Sequence, residues 1–373
     1  MALALLIFLP SLVFVPHYAY TLGLFFTPRK ITLDLNLIVI SLIIIISIIN
    51  NLLNFNNAIL YDKSLNTLFP YTILLYITFF VAKSIDQKVI DYLLFLVLFE
   101  SLIAILEFIF RTPTFFKSFV TTELSTNYGL KGLLYYHRTF GMSNNSSELS
   151  FKIFSAILLL FSSQQKKTKK IIYFVIFILG LFATFNRTAI LGLTLFFILF
   201  YYHYLIQFYQ IFRLKIKHAI FFLFLIILVF LIIHNFGTIK LQFTRGGMNT
   251  SLDAFKRLEI LNFYINFIQE HPLFGNGSFK LFHLFMGRLF HAHNSFIQVA
   301  ATHGLIIMGL YLFLILKNIT RNNYKFILPF LVVSISQYVI FWGISFADIV
   351  FFYFLIQYNK NDTACNPDLS YKK

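Results

Sequence analysis

Residues 37–49 read LIVISLIIIISII and contain no charged side chain. The apolar run extends over about residues 33–53, with Asp34 as its one acid. A helix needs about 20 mainly apolar residues to cross the hydrocarbon of a bilayer. The run is continuous, without the alternation of a barrel strand, so it predicts a membrane helix. Similar runs cover about residues 2–26, 64–82, 89–110, 148–163, 170–184, 188–206, 218–235, 294–316, 325–344 and 346–358. Together they predict an all-α polytopic transmembrane helix bundle of about 11 spans (10–12), one membrane domain over residues 1–373. The last two runs are expected to form a tight hairpin around Gly343–Ser345.

Composition agrees. Apolar residues make up 59% of the 373 positions and charged residues 12%, against about 45–50% and about 25% in soluble domains. A water-soluble fold of this length could not hide so much apolar surface, including 51 Phe. The first run begins at Met1 without a basic stretch, is interrupted by Pro10, Pro16 and His17, and has no small-residue cleavage site after it. It predicts a kinked first membrane helix and not a cleaved signal. The one cysteine, Cys365, lies in the polar tail and excludes an internal disulfide or a cysteine metal centre.

Cytoplasmic loops carry the excess of Lys and Arg. One alternating set of connections holds Arg29/Lys30, Lys83/Lys88, the basic residues of Lys166–Lys170, Arg213/Lys215/Lys217, and Lys317/Arg321/Lys325. The opposite short connections hold Lys63 and Arg187. The Lys-rich set is therefore expected in the cytoplasm, and an odd number of spans puts the N-terminus outside. Two longer segments, 111–147 and 236–293, fall on the outer side. The second carries Lys240, Arg245, Lys256, Arg257, Lys280 and Arg288 against Asp253, Glu259 and Glu270, with four histidines. The formal charge of +16 is partly membrane topology and partly an extracytoplasmic basic surface. Such a surface suits an anionic ligand at the outer leaflet and not nucleic acid.

Individual residues sharpen that picture. Arg187 lies between two spans and reads either as an interfacial arginine reaching the headgroups or as a phosphate contact beside a helix start capped by Thr188. Segment 251–269 reads as an amphipathic helix with Glu259, Asn262, Asn266 and Gln269 on one side. Arg257 falls on the other, near Ile260, Leu261, Tyr264 and Ile268. A charge on an apolar face calls for a partner, either Asp253 four residues earlier or a bound anion. His291 and His293 precede a span in Phe-His-Ala-His-Asn-Ser. Histidine is the commonest base near neutral pH, although Asn294 capping a helix beside an interfacial histidine accounts for the pattern too. The stretch from His271 to Gly277 is a turn by its Pro and Gly residues. Glu100, Glu107, Lys152 and Asp348 lie at membrane depth, where ionisable groups are either functional or paired with one another, for instance Glu107 with Lys152.

Four stretches then resemble the O-antigen polymerase and ligase superfamily of membrane glycosyltransferases. Arg138-Thr-Phe-Gly-Met-Ser-Asn-Asn resembles its arginine–glycine–asparagine segment before a membrane helix. Asn186-Arg-Thr-Ala-Ile-Leu-Gly-Leu resembles its Ser-Arg-Gly/Thr-Ala turn, with Asn186 where Ser is usual. Arg257 followed by His271-Pro-Leu-Phe-Gly-Asn-Gly resembles the arginine and glycine turn of its large periplasmic loop. The stretch His293-Asn-Ser-Phe-Ile-Gln through Gly304-Leu-Ile resembles its His-Asn helix start, with His303 where Glu is common.

The resemblance implies transfer of a glycan from undecaprenyl diphosphate to an acceptor hydroxyl at the outer face of the bacterial cytoplasmic membrane. It implies no metal or other cofactor. Arg187, Arg257 and Arg138 would hold the diphosphate, and His293 would act as base or orient the acceptor. Polymerisation of lipid-linked repeat units is the expected reaction, with ligation to lipid A core as the alternative. A flippase or transporter of lipid-linked oligosaccharide is the alternative from another class, disfavoured because no internal repeat is evident. Membrane lipid is an expected partner, as are a chain-length regulator or a separate flippase.

Overall fold

The computed structural model describes residues 1–12, 14–15, 17–26, 33–59, 72–111, 138–210, 250–285, 287–341 and 343–358. The expected span at 218–235, most of segment 111–147, residues 236–249 and the tail with Cys365 lie outside the described residues. Numbered along those residues, the helices are α1 (Ala2–Phe8), α2 (Leu35–Leu53), α3 (Ile73–Lys83), α4 (Gln87–Phe110), α5 (Ser146–Ser162), α6 (Lys167–Ala183), α7 (Arg187–Gln210), α8 (Thr250–Glu270), α9 (Ser295–His303), α10 (Leu305–Asn318), α11 (Tyr324–Ser336) and α12 (Phe346–Phe352). A short antiparallel hairpin, β1 (His283–Phe285) with β2 (Arg288–Phe290), follows α8, pairing Leu284 with Leu289. The loop region expected to be helical thus has both a helix and a hairpin.

Helix starts are set by side chains that accept the first free backbone N–H groups. Asp34 accepts from Leu37 N at 2.8 Å, Asp86 from Val89 N at 2.8 Å and Asn145 from Glu148 N at 2.8 Å. Among the described residues, helices α2 and α4 are long and apolar enough to cross a bilayer, and the apolar stretches Arg187–Tyr202 of α7, Leu305–Asn318 and Tyr324–Ser336 are shorter. Helix α5 is buried on nearly all sides from Leu149 to Leu160, which explains why its sequence is apolar all round.

The helices run between two ends. At one, Lys83 pairs with Asp34 at 2.8 Å and Asn36 bonds Asn318 at 3.1 Å. This end gathers Lys83, Lys88, Lys166–Lys170, Lys317 and Lys325. The other end gathers the close of α4 and α6, the starts of α5 and α7, and the segments carrying Arg138, Arg187, Arg257 and His293.

The structure corrects several expectations. Residues 2–26 are not one kinked helix. Pro10 opens a 3-10 turn at Leu9–Ser11, and a second 3-10 segment, His17–Phe26, folds back beside α1. A Cβ on Gly23 would meet Ile77, Val81 and Leu6, and Ser84 Oγ donates to Phe26 O at 3.2 Å. Lys152 Nζ, deep in α5, donates to Ser11 O at 3.1 Å. The chain therefore enters from the Lys-rich end, turns at the depth of Lys152 and returns, so the N-terminus does not start at the opposite end.

The run 294–316 is also broken, into α9 and α10, at Gly304. That glycine has φ 85°, and a Cβ there would lie 1.9 Å from Leu273 O. The turn expected at 271–277 is wedged against the break. Asn276 N donates to Ala301 O at 2.9 Å, Ser278 N to Thr302 O at 2.9 Å, and Leu305 N to Pro272 O at 2.8 Å. The structural reading of this turn holds.

Finally, Lys152 pairs with Glu100 at 2.9 Å and not with Glu107. Both partners are buried, and Ser143 Oγ joins them at 2.8 Å from Glu100 and 2.9 Å from Lys152. Glu107 instead accepts Phe140 N at 3.0 Å and Gly141 N at 2.8 Å. Asp348 accepts Phe341 N at 2.6 Å, and its own N–H is capped by Ser345 Oγ at 3.0 Å. These buried charges are internally partnered.

Candidate active site

Arg138 stands at the head of a segment tied down on two sides. Thr139 N donates to Ala183 O at 3.1 Å at the end of α6, while the Glu107 carboxylate holds the next two N–H groups. Arg138 itself lies 5.9 Å from the Phe140 ring centre. Ala183 is four residues before Arg187, so the Arg138 segment docks on the turn that leads to Arg187.

Arg187 is the first residue of α7 and is exposed. The cap beside it is Asn186, not Thr188: Asn186 Oδ1 accepts Thr188 N at 3.1 Å and Ala189 N at 3.1 Å. Asn caps as well as Ser, which accounts for the Asn at this position. Helix α7 runs antiparallel to α11. Phe196 packs on Phe326 with ring centres 5.7 Å apart, and a Cβ on Gly192 would meet Val333 at 2.3 Å. That alignment brings Arg187, five residues before Gly192, to the level of Gln337, four residues past Val333.

Arg257 lies one turn before Ile260 and two turns before Tyr264, both buried. Tyr264 anchors α8 to the hairpin, its hydroxyl lying 3.0 Å from Leu281 O and 2.9 Å from Phe290 O. Arg257 is itself exposed, so it does not sit on a closed apolar face. Its charge faces His291 and His293. The side chain of Asp253, its alternative partner, lies outside the described residues.

The histidines are held by a buried scaffold. Gln298 Oε1 accepts Ala292 N at 2.7 Å, and its Nε2 donates to Leu281 O at 2.8 Å. Asn294 caps α9, accepting Phe296 N at 2.9 Å and Ile297 N at 3.0 Å. His293 has φ 51°, an uncommon left-handed conformation for a non-glycine residue. His291 Nδ1 accepts the His293 N–H at 3.1 Å, and the rings lie 4.4 Å apart.

Burial pushes His293 down to about 4, with Arg257 acting in the same direction and a hydrogen bond to the Gln337 side chain opposing it. His291 is pushed down to about 3 by burial, then by His293, Lys280 and Arg257. Both imidazoles are neutral at pH 7. His293 Nδ1 is buried and has no hydrogen-bond partner among the described residues.

By sequence, Lys280 is one of the basic residues of segment 236–293 and nothing more. It is partly buried, lies 5.7 Å from the Phe282 ring centre and is pushed down to about 8 by burial. Its charge acts on His291, so it belongs to the Arg257–histidine cluster. Its position directly after the Gly275–Phe279 turn, itself locked to α9, was the available signal. Gln298 and Gln337 gave none beyond being polar in apolar surroundings.

The structure thus joins Arg138 to the Arg187 turn and Arg257 to His293. Gln337, whose backbone O accepts Ser295 Oγ at 3.3 Å, lies level with Arg187. Among the described residues no three His, Cys, Asp or Glu side chains form a metal-ligand group. Cations beside a neutral imidazole can take up an anionic group and accept a proton from a hydroxyl.

Residues 172–314 match the family model described as O-antigen ligase. The match covers less than half of the chain and supports a likeness to the O-antigen polymerase and ligase superfamily. It contains Arg187, Arg257, Lys280 and His293. Arg138 and Gln337 lie outside it. The comparisons with curated proteins and with solved structures found no match.

Proposed function

We propose that this chain, whose residues 172–314 match the O-antigen ligase family model, transfers a glycan from a polyprenyl diphosphate to an acceptor hydroxyl. The observation that carries the reading is the grouping of Arg257 and Lys280 with the His291–His293 pair, on the same end of the bundle as Arg187 and Arg138. The chain is read as a multi-pass protein of the bacterial inner membrane. Its Lys-rich end is cytoplasmic by the positive-inside rule, and the arginine–histidine end is periplasmic.

In that reading the anomeric carbon–oxygen bond to the diphosphate breaks as the acceptor oxygen attacks. Negative charge grows on the departing diphosphate, and fixed guanidinium groups stabilise it. Arg187 and Arg257 are assigned to that task, with Arg138 and Lys280 beside them. His293 is assigned to take the acceptor proton. Its proton affinity is lowered first by burial and then by Arg257, and a diphosphate beside Arg257 would offset the second of these and raise it. The polyprenyl chain lies along the apolar helix surfaces, with the diphosphate at headgroup level.

Polymerisation of lipid-linked repeat units is the reading favoured here. Ligation to lipid A core is the second, favoured by the description of the matching family. The glycan profile of a deletion strain separates them. Loss of a polymerase leaves one repeat unit on the core. Loss of a ligase leaves bare core while lipid-linked polymer accumulates. A normal profile together with trapped donor on the cytoplasmic face contradicts both and points to a flippase. Transfer is expected to persist in EDTA, and restoration by Mg²⁺ of a chelator-sensitive activity would overturn the arginine assignment.

A further inference from the structure

Glu107 lies in the last turn of α4, outside the residues that match the family model. Its side chain is buried, and a single one of its oxygens accepts two backbone N–H groups. Oε2 takes Phe140 N at 3.0 Å and Gly141 N at 2.8 Å. The preceding N–H, of Thr139, donates to Ala183 O at 3.1 Å. The three consecutive backbone N–H groups that follow Arg138 are therefore all fixed, one by the end of α6 and two by Glu107.

Thr139 and Phe140 are buried as well. A buried N–H without an acceptor is costly, so the carboxylate determines the path of the chain here. Gly141 has φ 55°, and a Cβ there would lie 3.2 Å from Glu100 Cγ and 3.4 Å from Leu149. The turn fits closely between α4 and α5.

The same end of α4 reaches the Arg187 turn. Gly180 lets α6 lie close against α4, since a Cβ on it would meet Ser101 Cβ at 3.1 Å. Beyond that approach Phe108 meets Phe185, with ring centres 5.9 Å apart. Phe185, two residues before Arg187, has φ 52°, a conformation that a bulky side chain keeps only where its surroundings hold it. Glu107 and Phe108 are chain neighbours. One places the segment after Arg138, the other packs on the residue before the Asn186 cap, and the Thr139–Ala183 bond joins the two.

We infer that Glu107 is a positioning residue for the donor: it holds Arg138 against the Arg187 turn so that both guanidinium groups serve one diphosphate. The inference rests on the transferase reading above. What Glu107 supplies is an acceptor oxygen at the right reach. It neither touches the donor nor moves a proton. Guanidinium groups bind phosphate through directed N–H bonds. An arginine on a displaced backbone loses that fit even when its charge stays nearby.

The test measures binding of radiolabelled undecaprenyl diphosphate to the purified full chain in nanodiscs. Arg138→Ala should weaken binding about tenfold or more, the worth of one charge-assisted contact. Glu107→Asp keeps the charge but draws the oxygen back by about 1.5 Å, one carbon–carbon bond. It should weaken binding to a similar extent. Glu107→Gln drops the charge but keeps an acceptor oxygen at full reach, so it should rescue binding to within about threefold of the wild type. Added to Arg138→Ala, Glu107→Asp should cost less than about twofold more, because the residue it acts through is gone.

Wild-type binding by Arg138→Ala or by Glu107→Asp overturns the inference. So does a Glu107→Gln protein as weak as Glu107→Asp, which would make charge and not reach the operative feature. A Glu107→Asp loss that multiplies with the Arg138→Ala loss overturns it too, since it marks a general disturbance of the fold. Failure of the transferase reading is separate: the deletion strain then keeps a normal glycan profile, whatever the binding cycle shows. A wild-type chain that does not bind the probe overturns both.

Discussion

Two charged regions of this bundle are built in opposite ways. Glu100, Lys152 and Ser143 form a closed group. The ammonium meets both carboxylate oxygens at 3.0 and 2.9 Å, the serine at 2.9 Å and Ser11 O at 3.1 Å. At the arginine–histidine end, a cation and an amide face His293, and one buried ring nitrogen has no partner among the described residues. A buried charge costs several kcal/mol unless paired, so the closed group must be complete to be tolerated. The other end can carry one sign of charge because it lies at the loops, and that arrangement favours an anion from outside. The buried Glu100–Lys152 pair is thus accounted for by mutual pairing, although ionisable residues expected at membrane depth are functional suspects in general.

The largest expected effect tests the closed side of this comparison. Lys152→Met leaves Glu100 buried and unpaired, and should destabilise the protein by about 3–5 kcal/mol, read as an earlier unfolding transition in detergent. The double change Glu100→Leu with Lys152→Met should recover most of that loss. Transfer per folded molecule should then be near normal. If the double variant folds and is inactive, the pair belongs to the chemistry and the contrast fails.

At the open end the signs reverse. Arg187→Lys should leave stability unchanged yet cost about 10²–10³ in transfer rate. An ammonium cannot reproduce the bidentate fit of a guanidinium to phosphate oxygens. Normal transfer by this variant would return Arg187 to the role of an interfacial anchor.

A smaller effect concerns pH. Lys280, pushed down to about 8 by burial, is charged below that pH and loses its charge above it. Since the charged form attracts the diphosphate, kcat/KM for the donor should fall several-fold as pH rises from 7 to 9. Lys280→Arg should flatten the profile, because its cation does not titrate there. A wild-type profile that rises over this interval would exclude Lys280 from the donor site.

Much of the architecture was legible because membrane helices are written in continuous apolar runs. The 33–53 and 89–110 runs are α2 and α4 within two residues at each end. The Lys-rich connections at Lys83/Lys88, Lys166–Lys170 and Lys317/Lys325 share one end, while Arg29/Lys30 and Arg213/Lys215/Lys217 lie outside the described residues. The breaks were not legible from hydropathy. Residues 294–316 look like one span, but the Pro272–Gly275 turn occupies the space a continuous helix would need at Gly304. Residues 2–26 look like another, but Pro10 and the close fit at Gly23 fold them back. Both breaks depend on neighbours far away in the chain.

At the candidate site, His293, Arg187, Arg257 and Arg138 were legible because charge and imidazole are rare in so apolar a sequence. Arg257 was read against the wrong surroundings: the helical period gave its face correctly, but that face opens toward the histidines at its end. Gln337 and Gln298 stayed hidden because an uncharged amide has no signature until its partners are in place. Glu107 was assigned the wrong partner because two acids seven residues apart share a face, and sequence alone does not say which is level with Lys152.

The central claim is that Arg257 serves a bound diphosphate and not the stability of α8. Its direct test is glycan transfer by Arg257→Ala in membranes, normalised to protein amount, with Asp253→Ala measured beside it. The account predicts a loss of about 10²–10³ for Arg257→Ala, an unchanged unfolding temperature, and little effect of Asp253→Ala. Near-normal transfer by Arg257→Ala, or matching mild losses in the two variants, would make the arginine a helical ion-pair partner and contradict the account.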